Sequence, residues 1–220
     1  MTHPQWPSRL GQAVAAEVRR HRQAQGLSAQ QLADRCAALG LPLGRSVLAN
    51  FESGRRPTVS VPELLVLAKA LGVPPIALLY PVGHEDRVEA LPDRAAPTWE
   101  ALRWFTGEGP LPTEQPEGAA RPWAVSPADA EEWQEDRAGL TDYRWHDRYL
   151  EEWRADRAAA ARATTDGARD ALLQQAAGRE GPLWDARRRL RALGVRLPDL
   201  PAELEHINAD DYQPDWGNLR

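Results

Sequence analysis

One cysteine, Cys36, stands in the whole 220-residue chain. A lone cysteine excludes an intrachain disulfide, so the fold must rest on an apolar core, and a reducing cytoplasm is the expected compartment. Cys36 sits among Leu32, Ala33 and Leu39 on an apolar stripe and is expected to pack as a small hydrophobe. No charged leader followed by an apolar core opens the sequence, and no apolar run approaches the roughly 18 residues that span a bilayer. The protein is therefore expected to be neither secreted nor membrane-inserted. Lysine is almost missing as well: Lys69 is the only one among 27 basic residues, a bias that suggests a GC-rich genome and a bacterial source. Catalytic signatures are lacking too. There is no P-loop, no His-Glu-x-x-His and no cysteine pair, and His3, His21, His84, His146 and His206 have no ligand spacing. No catalytic residue, no metal ligand and no cofactor is expected, and the chain is not expected to be an enzyme. His146-Asp147 lies in a charge-dense segment and is expected on a solvated helix face.

What is present is ordinary for globular protein, with 42% hydrophobic and 27% charged residues. The length suits two domains. The net charge of −5 conceals an asymmetry. Residues 1–80 carry nine Arg or Lys against four Asp or Glu, a balance of +5, whereas residues 81–220 carry eighteen against twenty-eight, a balance of −10. The two parts are expected to face different partners, and the basic one can attract phosphates even though the chain as a whole is acidic.

The basic part reads as five helices. The first runs from about Ser8 to Gln25 with Leu10, Val14 and Val18 inward, and Gly26 ends it. Ser28 followed by Gln31, and Ser60 followed by Glu63, have the capping-box spacing that satisfies orphan amides at a helix start. Helix two buries Leu32, Ala33 and Cys36, and Leu39 to Gly44 is a turn. Helix three, Arg45 to about Ser53, sets Val47, Leu48 and Phe51 on one side against Arg45, Ser46 and Asn50 on the other, and Gly54 stops it. Arg55, Arg56 and Pro57 make a basic turn. Helix four covers Val61 to Leu71 with Leu64, Leu65, Ala68 and Leu71 expected inward, and Pro74-Pro75 opens a fifth through Ile76, Leu78 and Leu79.

Prolines and glycines crowd residues 82–125, which is connector chemistry, interrupted by a short helix around Thr98 to Phe105 that carries Trp99. Ser126-Pro127 caps a long helix expected to extend to about Ala163, with Trp133, Leu140, Tyr143, Leu150 and Trp153 as its apolar positions. Ala168 to Ala177 and Leu183 to Leu193 are expected as separate return helices, parted by Gly181-Pro182. A last helix, Pro201 to Ile207, precedes the polar tail Asn208 to Arg220, expected to be mobile unless Tyr212 and Trp216 dock. Trp133, Trp145, Trp153 and Trp184 are expected in the core or an interface of this module and not around a ligand. Residues 126–207 are expected to serve self-association into a homodimer, or capture of a second protein.

Three stretches together carry a resemblance. Arg22-x3-Gly26-Leu27-Ser28-x3-Leu32-Ala33 comes first, then Leu48-x2-Phe51-Glu52-Ser53-Gly54-Arg55-Arg56-Pro57, then Leu64-x2-Leu67-Ala68-x2-Leu71-Gly72-Val73. Residues 9–81 resemble the Cro/repressor-type, or xenobiotic response element, helix-turn-helix family. The resemblance implies an all-α protein: a five-helix lambda-repressor-like DNA-binding domain over residues 1–81, here followed by the C-terminal helical hairpin. It implies that helix three is the recognition helix, that Arg45, Ser46 and Asn50 read base edges, and that Ala49 can touch a thymine methyl. It implies phosphate contacts at Ser28 and Gln30, where helix two begins, and at Arg55 and Arg56, and a structural ion pair between Arg22 and Glu52. Two departures stand out. Ala29 occupies the place where many members carry glutamine, and the link from helix two to helix three is longer than the usual tight turn by roughly five residues. The expected function is a sequence-specific regulator of transcription that occupies an operator in double-stranded DNA. The alternative is an antitoxin-like or assembly protein whose C-terminal helices capture a partner.

Overall fold

A computed structural model describes residues 5–115, 123–136, 138–209 and 211–214. The chain folds as two units, Met1–Ala130 and Glu131–Arg220. In the first, α1 (Trp6–Ala24), α2 (Ala29–Ala38), α3 (Arg45–Glu52), α4 (Val61–Leu71) and α5 (Pro75–Leu79) are followed by β1 (Arg87–Leu91), β2 (Arg94–Pro97) and α6 (Thr98–Phe105). A two-residue pair, β3 (Thr113–Glu114) with β4 (Trp123–Ala124), comes next, and α7 (Pro127–Asp136) contains the boundary between the units. The second holds α8 (Ala138–Arg162), α9 (Asp166–Ala192) and a 3-10 helix, Ala202–Asn208. The fold is all-α in character, with five short helices ahead of the longer C-terminal ones and only short strands between them.

Both capping boxes form. Ser28 Oγ accepts from the Gln31 amide at 3.2 Å while Gln31 Oε1 accepts from the Ser28 amide at 2.8 Å, and Ser60 and Glu63 repeat the arrangement. The stripes they launch meet in one core of Val14, Val18, Leu32, Cys36, Leu48 and Leu67, each at most 1% exposed. Gly11 lies on α1 where a Cβ would come within 1.9 Å of the Pro57 carbonyl oxygen, so only glycine lets α1 touch the backbone of the turn after α3. Leu39, expected inward beside Cys36, is 43% exposed.

The lengthened link is ordered. Leu41 N–H donates to the Cys36 carbonyl and Gly40 N–H to that of Ala37, with Gly40 at φ +89°, which closes α2 in a Schellman turn. Leu41 and Leu43 then pack on the core before α3 starts. Apolar anchoring, and not a longer α2, absorbs the added residues.

Residues 82–125, expected as connector with one short helix, hold an antiparallel hairpin as well. Val88 pairs with Ala96 and Glu89 with Ala95, and the chain reverses at Asp93, at φ +57°. Tyr80, Ala90, Ala96 and Ala101 form a small second core of this unit, with α6 lying over it. Pro92 lies in the turn and Pro97 is the last residue of β2, opposite Arg87, so neither interrupts the middle of the ladder.

The second unit is an antiparallel pair. Gly139 lies beside Leu193, Asp142 bonds Arg189, His146 bonds Arg187 and Glu152 bonds Arg179, so residue numbers fall on one helix as they rise on the other. Its core joins Leu150, Trp153, Ala176 and Leu183 to Leu204 and Ile207. Two expectations are corrected. The return helices form one helix, α9, with Pro182 inside it. Proline there removes one backbone bond at a cost of about 3 kcal/mol, offset by the burial of Leu183, Ala186 and Leu190 just beyond it on α9. His146, expected on a solvated face, is 1% exposed. Among the expected apolar positions Leu150 and Trp153 are buried, Trp133, Tyr143 and Trp184 are half-buried, and Leu140 and Trp145 are 49% and 38% exposed. The long helix expected from Pro127 appears as α7 and α8, residue 137 lying outside the described residues. Tyr212 docks on Trp184 and His206. Trp216 lies outside the described residues.

Candidate nucleic-acid interface

Helix α3 is short, and its amphipathic pattern decides which side is free. Leu48 and Phe51 are 1% and 3% exposed and fix one face in the core. Arg45, Ser46, Ala49 and Asn50 fall on the other and are all exposed. Gly44 precedes the helix without a side-chain cap, so Ser46 is not consumed as one. An anchored helix with a free polar face carrying Arg, Ser and Asn has the donors and acceptors that base edges match: Arg for guanine O6 and N7, Asn for adenine N6 and N7.

Its far end is clamped. Arg22 on α1 donates through Nε and a terminal nitrogen to the two Glu52 oxygens, both at 2.6 Å, and through its third nitrogen to the Leu27 carbonyl at 2.7 Å. The hydrogen bond to Glu52 holds the guanidinium above its ordinary pKa, against the pull of burial. This is the ion pair that the resemblance implied, and its geometry ties α1 to the end of α3.

The surrounding residues divide by partner. Ser28 is exposed at the start of α2, where it serves the cap, and the neighbouring Gln30 is hydrogen-bonded to Asp34 at 2.8 Å. Arg55 is exposed and has no hydrogen bond or ion pair among the described residues. Arg56 is engaged: it donates to the Glu63 carboxylate at 2.7 and 3.0 Å. Burial works against the charge on Glu63, but hydrogen bonds from Ser60 and Arg56 outweigh it and hold the carboxyl below its usual range. Two side chains expected to act alike, Arg55 and Arg56, thus start from different states. Glu52 and Glu63 both face arginines, so the positive charges left over around α3 are Arg45 and Arg55.

Sequence reasoning missed the hairpin and its salt link to α1, in which Arg9 grips Glu89 at 2.7 and 2.6 Å. The alternation Val88, Ala90 ahead of Pro92-Asp93 was the available signal. The acidic residues of 81–130, nine against four basic ones, belong to the same unit as the basic helices and bring it to neutrality. Among the described residues no cluster of three or more His, Cys, Asp or Glu is placed to hold a metal ion, and no helix is long and apolar enough to cross a membrane.

Residues 13–79 match a family model described as a helix-turn-helix domain. The match runs from Ala13 within α1 through α5, including α3 and its clamp, so this part of the chain is similar to helix-turn-helix domains, an architecture that binds DNA. No curated protein and no solved structure matches the chain.

Proposed function

We propose that the protein is a transcriptional regulator that recognises a specific sequence in double-stranded DNA and acts by occupying that operator, without covalent chemistry. The observation that carries this reading is the exposed face of α3, with Arg45, Ser46, Ala49 and Asn50 free and Leu48 and Phe51 buried, inside a helix-turn-helix domain. In this reading α3 enters the major groove, Arg45 and Asn50 read bases, Ser46 supports them, and Ala49 lies against a thymine methyl. Arg55 and the amide end of α2 at Ser28 and Gln30 hold phosphates, with Arg56 joining them when it leaves Glu63.

A homodimer is part of the proposal, since two recognition helices about 34–36 Å apart multiply the affinity of one. Leu140, Leu193 and Val195 support it. They are 49%, 48% and 38% exposed at one end of the α8–α9 pair, where Gly139 meets Leu193 and the Tyr143 hydroxyl donates to the Arg196 carbonyl. Selection of bound duplexes from a random library tests both parts, because a consensus reports base reading and a repeated half-site reports the dimer. Arg45→Ala should cost about 1–3 kcal/mol on the selected duplex and relax choice at one position. Equal losses on selected and random duplexes would remove Arg45 from base reading.

A further inference from the structure

Away from the reading face, a cavity of about 410 Å³ opens between the first half of α1, the end of α5, β1 and the end of α6. That volume lies in the range of small-molecule sites. Four aromatic rings line it, from Trp6, Tyr80, Trp104 and Phe105, and the Tyr80 and Phe105 rings tilt against each other at 5.6 Å. Charge beside it is mostly spent. Arg9 is held by Glu89, and Arg87 bonds Glu114 at 3.1 Å and lies 4.8 Å above the Trp123 ring. A charged ligand would have to open these pairs, whereas a neutral one leaves them intact, and the exposed carboxylate of Glu85 turns anions away.

One polar group remains. The Tyr80 ring is largely buried, at 7% exposure for the residue, while its hydroxyl keeps access to solvent and has no hydrogen-bond partner among the described residues. A phenolic hydroxyl on the wall of an aromatic cavity, with no protein partner, can give up a water contact to donate to an acceptor on a ligand.

We propose that this cavity binds a neutral, planar, largely apolar aromatic molecule carrying one hydrogen-bond acceptor for the Tyr80 hydroxyl, and that α1 couples its occupancy to DNA reading. Leu10 and Ala13 form the α1 wall of the cavity. Between them Gly11 meets the Pro57 carbonyl with no room for a methyl group, so α1 cannot shift toward the basic turn without moving it. The coupling rests on the DNA-binding function proposed above; the binding itself does not.

The neutral naphthyl ketone dye Prodan, whose emission moves to the blue in apolar surroundings, is a suitable probe for the full-length protein. Saturable one-to-one binding with a blue shift is the expected result. Tyr80→Phe should weaken it about three- to tenfold, the effect of one neutral hydrogen bond, and Ala13→Trp should abolish it while the helical circular dichroism is kept. Should Ala13→Trp fail to fold, Phe105→Ala at the 55% exposed edge replaces it, with a loss of about threefold or more expected. Absence of saturable binding, or an affinity untouched by Tyr80→Phe and by the second variant, overturns the site. With a selected duplex, saturating dye should change duplex affinity by the same factor by which duplex changes dye affinity. A factor of one overturns the coupling alone. If no duplex binds under any condition, the DNA reading falls and the coupling with it, and the dye titration decides the cavity by itself.

Discussion

Each unit contains an arginine taken largely out of water, and the two are satisfied in opposite ways. Arg22 in the first unit is met by a carboxylate: Glu52 takes two of its donors, and side-chain exposures of 13% and 8% leave the pair mostly shielded. Arg187 in the second is 3% exposed, and its bonds go to His146 Nε2 and the Pro198 carbonyl, both at 2.8 Å, and to Asn208 Oδ1 at 2.9 Å. Every one of those acceptors is uncharged. Burial consequently pulls the Arg187 pKa down, with Arg191 adding to the effect, whereas Arg22 is held up by Glu52. A buried charge can be compensated by an opposite charge in direct contact or chiefly by hydrogen bonds to neutral groups, with Asp199 acting on Arg187 only through its field, and the second solution makes a demand on its partners. His146 must keep Nε2 free to accept, so it must stay neutral.

Removing the carboxylate is the largest test of this contrast. Glu52→Ala leaves the Arg22 guanidinium with only the Leu27 carbonyl, and the first unit should lose about 3 kcal/mol, the lower end for a broken buried pair because both groups keep some exposure. Hydrogen exchange on the full chain reads each unit separately, and loss of protection confined to α1–α5 is the expected pattern. Unchanged protection together with lost duplex binding would make Glu52 a functional residue and not a clamp.

Acid should strike the other unit. Burial first, and then the charge of Arg187, push the His146 pKa down to about 4 from an ordinary value of 6.5. The unfolded chain therefore binds the proton at a higher pH than the folded one, so stability falls as pH drops from about 6.5 toward 4 and is level above that window. One pKa unit corresponds to about 1.4 kcal/mol, so the loss in the second unit should approach about 2–3 kcal/mol near pH 4. Protection of α8 and α9 followed against pH checks it, and His146→Gln should flatten the dependence within this window. An unchanged slope in that variant would place the acid sensitivity elsewhere. Arg187→Met should cost less, about 2 kcal/mol: three acceptors lose their donor, but the desolvated charge disappears as well. A gain in stability would show that burial of the charge outweighs its bonds.

The same contrast explains how far the sequence could be read. Capping boxes at Ser28 and Ser60 and stripes such as Leu64, Ala68, Leu71 are local signals, and the helices they predict appear within a residue or two, although Leu65, read as inward with them, is 51% exposed and Leu67 takes the core position. Arg22 with Glu52 was accessible only through resemblance, because 30 positions separate them and no local rule pairs them. Arg187 with His146, 41 positions apart, had neither aid, and His146 beside Asp147 looked like a solvated pair. Residues 87–97 were obscured by Pro92 and Pro97, whose composition suggested a connector while their positions permit a hairpin. Pro182 misled in the other direction, since its local cost is real but is overruled by packing on α8. The exposed face of α3 was legible from its period; the engagement of Arg56 by Glu63 was not, because Glu63 had already been assigned to the cap.

That last pair yields the smallest test, on the surface, of a compensated against an uncompensated arginine. Arg55 has no partner to leave, whereas Arg56 must give up a carboxylate 2.7 Å away before it can meet a phosphate. Each phosphate neutralised on B-form DNA contributes about 0.9 to the slope of log affinity against log salt. In the proposed complex, Arg55→Ala should lower that slope by about one per subunit, and Arg56→Ala by clearly less, since the salt bridge it abandons offsets much of the gain. Exposed pairs of this kind are worth no more than about 1 kcal/mol, so the difference between the two variants should be of that order in duplex affinity at low salt. Glu63→Gln supplies the control: with the carboxylate gone, Arg56→Ala should acquire the slope change of Arg55→Ala. Equal slope changes for the two arginines in the presence of Glu63 would mean that the pair opens freely on DNA, and that compensation in the unbound protein does not govern which arginine holds the backbone.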